Sequence, residues 1–421
     1  MMEPMTRETA DLPAFLHPFA RPAAPRDGFV DIVSASGAEL VDADGRRYID
    51  ALASLWYCNV GHGQAEIADA VSAQMRRLDT FHTFDRFTNP AADALAERLA
   101  GLAPMPDARV FLTSGGSEAV ETAVKLARLA QSRAGHPERT VIVSRRPSYH
   151  GVTYAAMSAS GLPANRAGFG PLVPEIVQVP YDDLAALDAL PEATEGRVAA
   201  VLAETVIAAG GVHPPPSGYL AGLRERCDRW GAYLVLDEVV CGFGRLGQWW
   251  GATHFGVRPD LVTFAKGVTS GYLPMGGVLV GPAVRAPLEA DAAFVLRTGY
   301  TFSGHPVTAA AALANLDVLE RDDLAGRAGD IARHLGGGLQ ALVDGDAVVG
   351  ARGTMGIWAL ELGQGIDATE VRDAMLAKGV IARPLGSSTV AFCPPLVISD
   401  QQMHTCVERA GAAIAEVASH R

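Results

Sequence analysis

The stretch AYLVLDEVV, residues 232–240, ends an unbroken apolar run on the acid Asp237, and LVTFAK, residues 261–266, ends another on the amine Lys266. Neither run alternates apolar with polar side chains, as a strand with one wet face would. Strands without alternation are buried on both faces, the condition of a mostly parallel sheet covered by helices. RVFLTS (109–114), TVIVS (140–144), VAAVLAE (198–204) and GGVLVG (276–281) share this character and are separated by helical stretches. The order predicts a doubly wound α/β domain. Ligands of such sheets bind beyond the carboxyl ends of the strands, so the residues that end these runs are the first candidates for a site.

On either side of this block the pattern changes. GAELVDADGRRYI, from Gly37 to Ile49, alternates around Asp44-Gly45 and predicts an antiparallel hairpin with a type I′ turn. After His305-Pro306, VTAAAALANLDVLER predicts a long Ala-rich helix, followed by the strand-like pieces VVGARGTMGIWALEL, GVIARPL and TVAFCPPL. That mixture suits a smaller α+β domain. The expected division is 1–60 as an N-terminal arm with part of the small domain, 61–306 as the large domain, and 307–421 as the C-terminal small domain. The first thirty residues, rich in Pro, Arg and Ala, predict an arm lying on another surface, or disorder.

Composition excludes several functions. Of 421 residues, 49% are hydrophobic and 19% charged, the balance of a protein with a large core. Lys and Arg number 35 against 47 Asp and Glu, a net charge of −12 that repels phosphate backbones and anionic lipid. Nucleic acid and membrane partners are not expected. Cys58, Cys227, Cys241, Cys393 and Cys406 are scattered without a C-x-x-C pair, which predicts a reduced cytoplasmic protein with no metal site. The acidic start lacks the features of a signal peptide, and the apolar run Val198 to Val212 is broken by Glu204-Thr205.

The chemistry lies at the strand ends. In TSGGSEAVETAVKLARLA, from Thr113, a strand gives way to glycines and a helix start. Unpaired amides and the positive end of the helix dipole favour an anion there, and Gly115 and Gly116 let its oxygens approach; a helix capped by Ser114 or Ser117 is the plainer alternative. Asp237 and Lys266, 29 residues apart, should point into one crevice. Buried Asp and Lys are rare unless paired or functional, and a structural ion pair explains either one alone. Together they suit an aldehyde-bearing pyridine ring, with Lys266 forming a Schiff base and Asp237 keeping the ring nitrogen protonated. SYHG places Tyr149 and His150 after another strand, where an aromatic side chain can stack on such a ring or simply pack. Trp56 in LWYCNVGHG lines a pocket or fills the core, and Arg383 grips a substrate carboxylate or pairs on the surface. GFGRLG, from Gly242 to Gly247, matches a dinucleotide fingerprint but runs into QWWGATHFG, which is no small-residue helix.

Taken together, LWYCNVGHG, SGGSEAVETAVKLAR, SYHG, LDEVVCGFGRLG, FAKGVTSGYLPMGGV, YTFSGHPVTAAAALA and the RPLG…CPPLVIS tail resemble the class III, or ω-type, aminotransferases. The resemblance implies fold type I of the pyridoxal-phosphate enzymes: a large domain with a mostly parallel sheet of the seven-stranded type, plus a smaller α+β domain from both termini. It implies pyridoxal 5′-phosphate as cofactor and a homodimer with shared active sites. Lys266 is then the Schiff-base lysine, Asp237 partners the pyridine nitrogen, Val239 and Tyr149 flank the ring, and His150 and Glu204 lie at the cofactor. Gly115, Gly116 and Ser117 hold the phosphate with Thr301 of the partner subunit, and Trp56 and Arg383 lie near the substrate. Many relatives have EPV and a glycine where this chain has Glu204-Thr205-Val206 and Ala208, and an acidic residue where it has Ser387-Ser388. The implied reaction is a ping-pong transfer of an amino group from an amine or ω-amino acid to an oxo acid such as pyruvate. An aminomutase or decarboxylase with the same cofactor, and a silent cofactor-binding regulator, are the alternatives.

Overall fold

The computed structural model describes residues 12–420, and residues 1–11 of the expected N-terminal arm lie outside them. Its centre is a seven-stranded sheet. We number its strands β1 (Arg109–Thr113), β2 (Val141–Arg146), β3 (Ile176–Pro180), β4 (Val198–Glu204), β5 (Tyr233–Asp237), β6 (Leu261–Ala265) and β7 (Gly276–Val280). The spatial order is β1-β7-β6-β5-β4-β2-β3, and all neighbours are parallel except β7, which runs antiparallel to both β1 and β6.

Every residue of β4, β5, β6 and β7 is buried, because helices cover both faces. The period of two sends successive side chains of β5 to opposite sides. Val235 packs with Val120, Ala123 and Ala127 of helix α1 (Gly116–Arg133), whereas Leu234 and Leu236 pack with Leu220, Leu223 and Cys227 of the helix Tyr219–Trp230. The buried positions of α1 recur at helical spacing, so one face lies on the sheet while Lys125 on the other is exposed. Each wholly buried leucine stabilises the fold by about 2 kcal/mol over an exposed one.

Two smaller sheets carry the ends of the chain. Ile32–Ser36, Glu39–Asp42 and Arg47–Asp50 form an antiparallel meander, and Val380–Ile381 joins it in parallel beside Arg47–Asp50. Val348–Thr354, Ile357–Leu362, Thr389–Phe392 and Arg383–Leu385 form an antiparallel sheet of four. The long helix, α2, spans Pro306–Arg321.

The structure corrects the hairpin turn. A two-residue type I′ turn needs positive φ at both Asp44 and Gly45, and only Gly45, at 80°, has it. The Asp42 carboxylate accepts from the amides of Asp44 (3.1 Å) and Arg46 (2.8 Å), which draws the chain into a three-residue loop closing on Gly45. GFGRLG passes through turns, and the helix that follows it, Gly251–His254, is too short and too late for a dinucleotide site.

Candidate active site

Parallel pairing sets the site. Glu204 and Asp237 are register partners at the ends of β4 and β5, and Asp237 also pairs in register with Thr263 of β6, two residues before the strand ends at Ala265. Lys266 follows directly. The segment after β2 contributes Tyr149 and His150, and the turn after β1 leads into the N-terminus of α1. These strand ends surround a cavity of about 140 Å³ lined by Gly116, Ser117, Tyr149, His150, Glu204, Asp237, Val239 and Lys266. The cavity brings together eight residues singled out from the sequence. Gly151, Ala209 and Val240 also line it and were not foreseen; Gly151 at least follows Tyr149-His150 directly.

Only three lysines occur in the chain. Lys125 is exposed and reaches Thr298, and Lys378 pairs with Glu416, so Lys266 alone of the three lines this cavity. Burial disfavours its charged form and lowers its pKa, against the opposing pull of Asp237 and Glu204. The result is an amine that gives up its proton more readily than a surface lysine. Its backbone is left-handed, with φ of 50°, directly after the strand.

Asp237 is buried and doubly held. Its Oδ2 lies 2.7 Å from His150 Nδ1, and its Oδ1 accepts from the amide of Val239 at 3.1 Å. His150 Nε2 is buried with no partner among the described residues. Glu204 is also buried; its two oxygens accept from the amides of Tyr149 and Ala208, each at 3.1 Å. Burial raises its pKa, while nearby His150 pulls the other way. Beneath it Arg145, wholly buried, donates to the Glu204 carbonyl.

The α1 end of the cavity is built for close approach. Gly115 caps the helix in extended conformation, and the first amides of α1 have no partner within the helix. Ser114 is not the cap; its amide donates to Glu118 Oε2 at 2.8 Å. A Cβ on Gly116 would meet Val239 Cγ1 at 3.0 Å, and one on Gly151, whose φ is 127°, would come within 2.3 Å of Ser117 Oγ. Only glycine leaves this room. A phosphorylated pyridine aldehyde fits the set: free helix-end amides with glycines for the phosphate, an amine for the aldehyde, a carboxylate for the ring nitrogen.

The remaining candidates lie outside the cavity. Thr301 sits exposed in a turn. Trp56 is buried, with φ of 66°, in a cluster with Val206, Ala208, Cys241 and Cys393. Arg383 is half-buried at the start of its strand, near Tyr149, and forms no ion pair with a carboxylate among the described residues. Desolvation lowers its pKa, and Tyr149 opposes that.

Known proteins are similar to the chain over most of its length. The family described as aminotransferase class-III matches residues 22–414. The chain is 34% identical to putrescine–pyruvate aminotransferase of Pseudomonas aeruginosa, covering 91% of each, and 38% identical to β-alanine–pyruvate aminotransferase of the same organism, covering 76% of each. It is also similar to the crystal structure of an amine transaminase from an uncultivated Pseudomonas species with pyridoxal phosphate bound: TM-score 0.92, 35% identity, 96% of this chain and 99% of that one.

Proposed function

The chain belongs to the class III aminotransferases, enzymes dependent on pyridoxal 5′-phosphate, and on that premise we propose that Lys266 carries the cofactor and Asp237 holds its ring nitrogen. When bound, the cofactor supplies an aldehyde that captures primary amines and a pyridinium ring that accepts the electron pair left on carbon. Gly115, Gly116 and Ser117 bind its phosphate, with Thr301 of the partner subunit completing the cradle in a homodimer. Val239 and Tyr149 hold the ring between them. Asp237, steadied by His150, keeps a proton at the ring nitrogen, and Glu204 fixes the backbone of Tyr149 through its amide.

Lys266 Nζ has two tasks in this reading. It would hold the cofactor at rest, and once an amine donor displaces it, the freed amine would take the proton from the donor carbon and return it to the carbon that had been the cofactor's aldehyde. Its lowered proton affinity suits both. The enzyme transfers an amino group from an amine or ω-amino acid to an oxo acid in two half-reactions. The named relatives act on putrescine and β-alanine with pyruvate, which supports a donor with a terminal primary amine and pyruvate as acceptor. Trp56 shapes the donor side, and Arg383, which pairs with no carboxylate among the described residues, is available to a substrate carboxylate. Residues 61–306 form the cofactor-binding domain; of the described residues, 12–60 supply an arm and part of the smaller domain, and 307–420 the rest of it. No helix among the described residues is long and apolar enough to cross a membrane, and all five cysteines are free and buried, which supports a cytoplasmic enzyme. The aminomutase, decarboxylase and silent-regulator readings gain nothing from these relatives.

One observation carries the reading: a single cavity holds the one enclosed lysine of the chain together with a histidine-braced aspartate. Lys266→Ala is expected to abolish both the cofactor's protein-linked absorbance band and turnover with an amine donor and pyruvate. Retention of both refutes the assignment.

A further inference from the structure

Immediately beyond Lys266 the chain makes a tight turn, Lys266–Val268, whose carbonyls lie under α2 rather than in water. Asn315, on α2, is wholly buried. Its Nδ2 donates to the carbonyls of Gly267 (2.8 Å) and Val268 (3.0 Å), and its Oδ1 has no partner among the described residues. The orientation of the amide is fixed by its neighbours, since two carbonyl oxygens can be met only by the nitrogen.

A buried amide with an unpaired oxygen carries a desolvation penalty, and the neighbouring helix positions are Ala311, Ala312, Leu316 and Leu319. A leucine at 315 would avoid that penalty. Its cost would fall on the two carbonyls, which lie at the end of a single turn and have no other side-chain donor. The same turn also packs closely against Asn59. A Cβ on Gly267 would lie 2.7 Å from Asn59 Nδ2, which is committed to the Phe243 carbonyl at 2.9 Å, while Asn59 Oδ1 accepts from Arg245 at 2.7 Å. Gly267 thus has Asn59 against it as well as Asn315, directly after the left-handed backbone of Lys266.

We infer that Asn315 is a positioning residue for Lys266: its two hydrogen bonds to the carbonyls that follow set the left-handed backbone that aims the lysine amine into the cavity, and they hold that aim while the amine is free. The inference rests on the assignment of Lys266 as the cofactor lysine. A flexible four-carbon side chain that must both capture an aldehyde and later carry a proton has only its backbone to keep it in register, and loss of register by about 1 Å costs about a hundredfold in rate. Asn315 does not line the cavity, so its removal should spare the binding of cofactor and substrate.

The test uses the full chain freed of cofactor. Pyridoxamine phosphate, which has no aldehyde, reports the phosphate and ring contacts by its affinity; pyridoxal phosphate, trapped with borohydride, reports the rate at which Lys266 captures it. Asn315→Leu is expected to slow capture about 10- to 100-fold and to slow the half-reaction with an amine donor by a similar factor, leaving pyridoxamine phosphate affinity and donor KM within about twofold. Asn315→Asp, which when protonated keeps one donor, should fall between Leu and the unsubstituted protein, and it carries the test if the Leu variant does not fold. Leu316→Ala, a buried truncation on the same helix, serves as the control for general loosening and should leave capture unchanged. Capture at the normal rate in both Asn315 variants, or equal slowing in Leu316→Ala, overturns the inference. Failure of the unsubstituted protein to bind pyridoxamine phosphate strikes the cofactor reading instead.

Discussion

Asp237 has two hydrogen bonds and His150 has an unused nitrogen, so the pair defines a carboxylate that is fixed in direction before any ligand arrives. A carboxylate held this way can keep a ring nitrogen protonated; an amide in its place cannot. Asp237→Asn is expected to lower kcat with an amine donor by about 10²-fold or more. His150→Phe, which removes the brace but keeps the charge, should produce a smaller loss, and steady-state kinetics on the two variants checks the order. A His150 variant worse than Asp237→Asn would speak against the hierarchy. At this scale the sequence was informative where a residue ends a strand: Asp237 and Lys266 were reached by counting to the end of an apolar run, whereas Glu204 came only from the resemblance, although it too ends a strand. Ala209 and Val240 were not reached either way, because they sit on irregular chain whose path depends on hydrogen bonds such as Ala208 to Glu204. Asn315 was hidden differently, inside an Ala-rich helical pattern whose partner carbonyls lie 47 and 48 residues away in sequence.

Whole strands were legible through their lack of alternation, which burial on both faces produces. The exception is β3, one of the two edge strands of the sheet, which is mostly half-buried and ends on Pro180, so its pattern gave no apolar run to read. The direction of β7 was equally hidden, since an apolar run reads the same whichever way it pairs. Between β5 and the short helix Gly251–His254 lies an element with its own pH dependence. Glu238, wholly buried, accepts from the amides of Gly251 (2.9 Å) and Ala252 (2.6 Å), and burial pushes its pKa up to about 7 despite those bonds. An acid whose folded pKa is raised makes a contribution to stability that is fully present below the unfolded value, near 4.5, and lost as pH rises through about 7. The span corresponds to about 3 kcal/mol. Glu238→Gln should remove this slope, so that the melting temperature of the unsubstituted protein falls relative to the variant between pH 5 and pH 8, on the order of a few degrees. Parallel melting curves across that range contradict the account.

Across the whole molecule, the seven-stranded sheet delivers the reactive groups to one cavity at the carboxyl ends of its central strands, whereas Trp56, on a short helix, and Arg383, on a terminal sheet, lie outside it. Membership in the family was readable because its motifs are spread over most of the chain, from Trp56 to the RPLG tail. How the terminal segments converge was not readable, because pairing of Val380–Ile381 with Arg47–Asp50 joins residues more than three hundred positions apart. The scarcity of lysine gives the molecule an unusually direct test. With only Lys125, Lys266 and Lys378 available, the protein loaded with pyridoxal phosphate can be reduced with borohydride, digested, and its peptides weighed. The account predicts one phosphopyridoxyl group, on the peptide containing Lys266, and none on the other two; a label on Lys125 or Lys378, or no label at all, contradicts it.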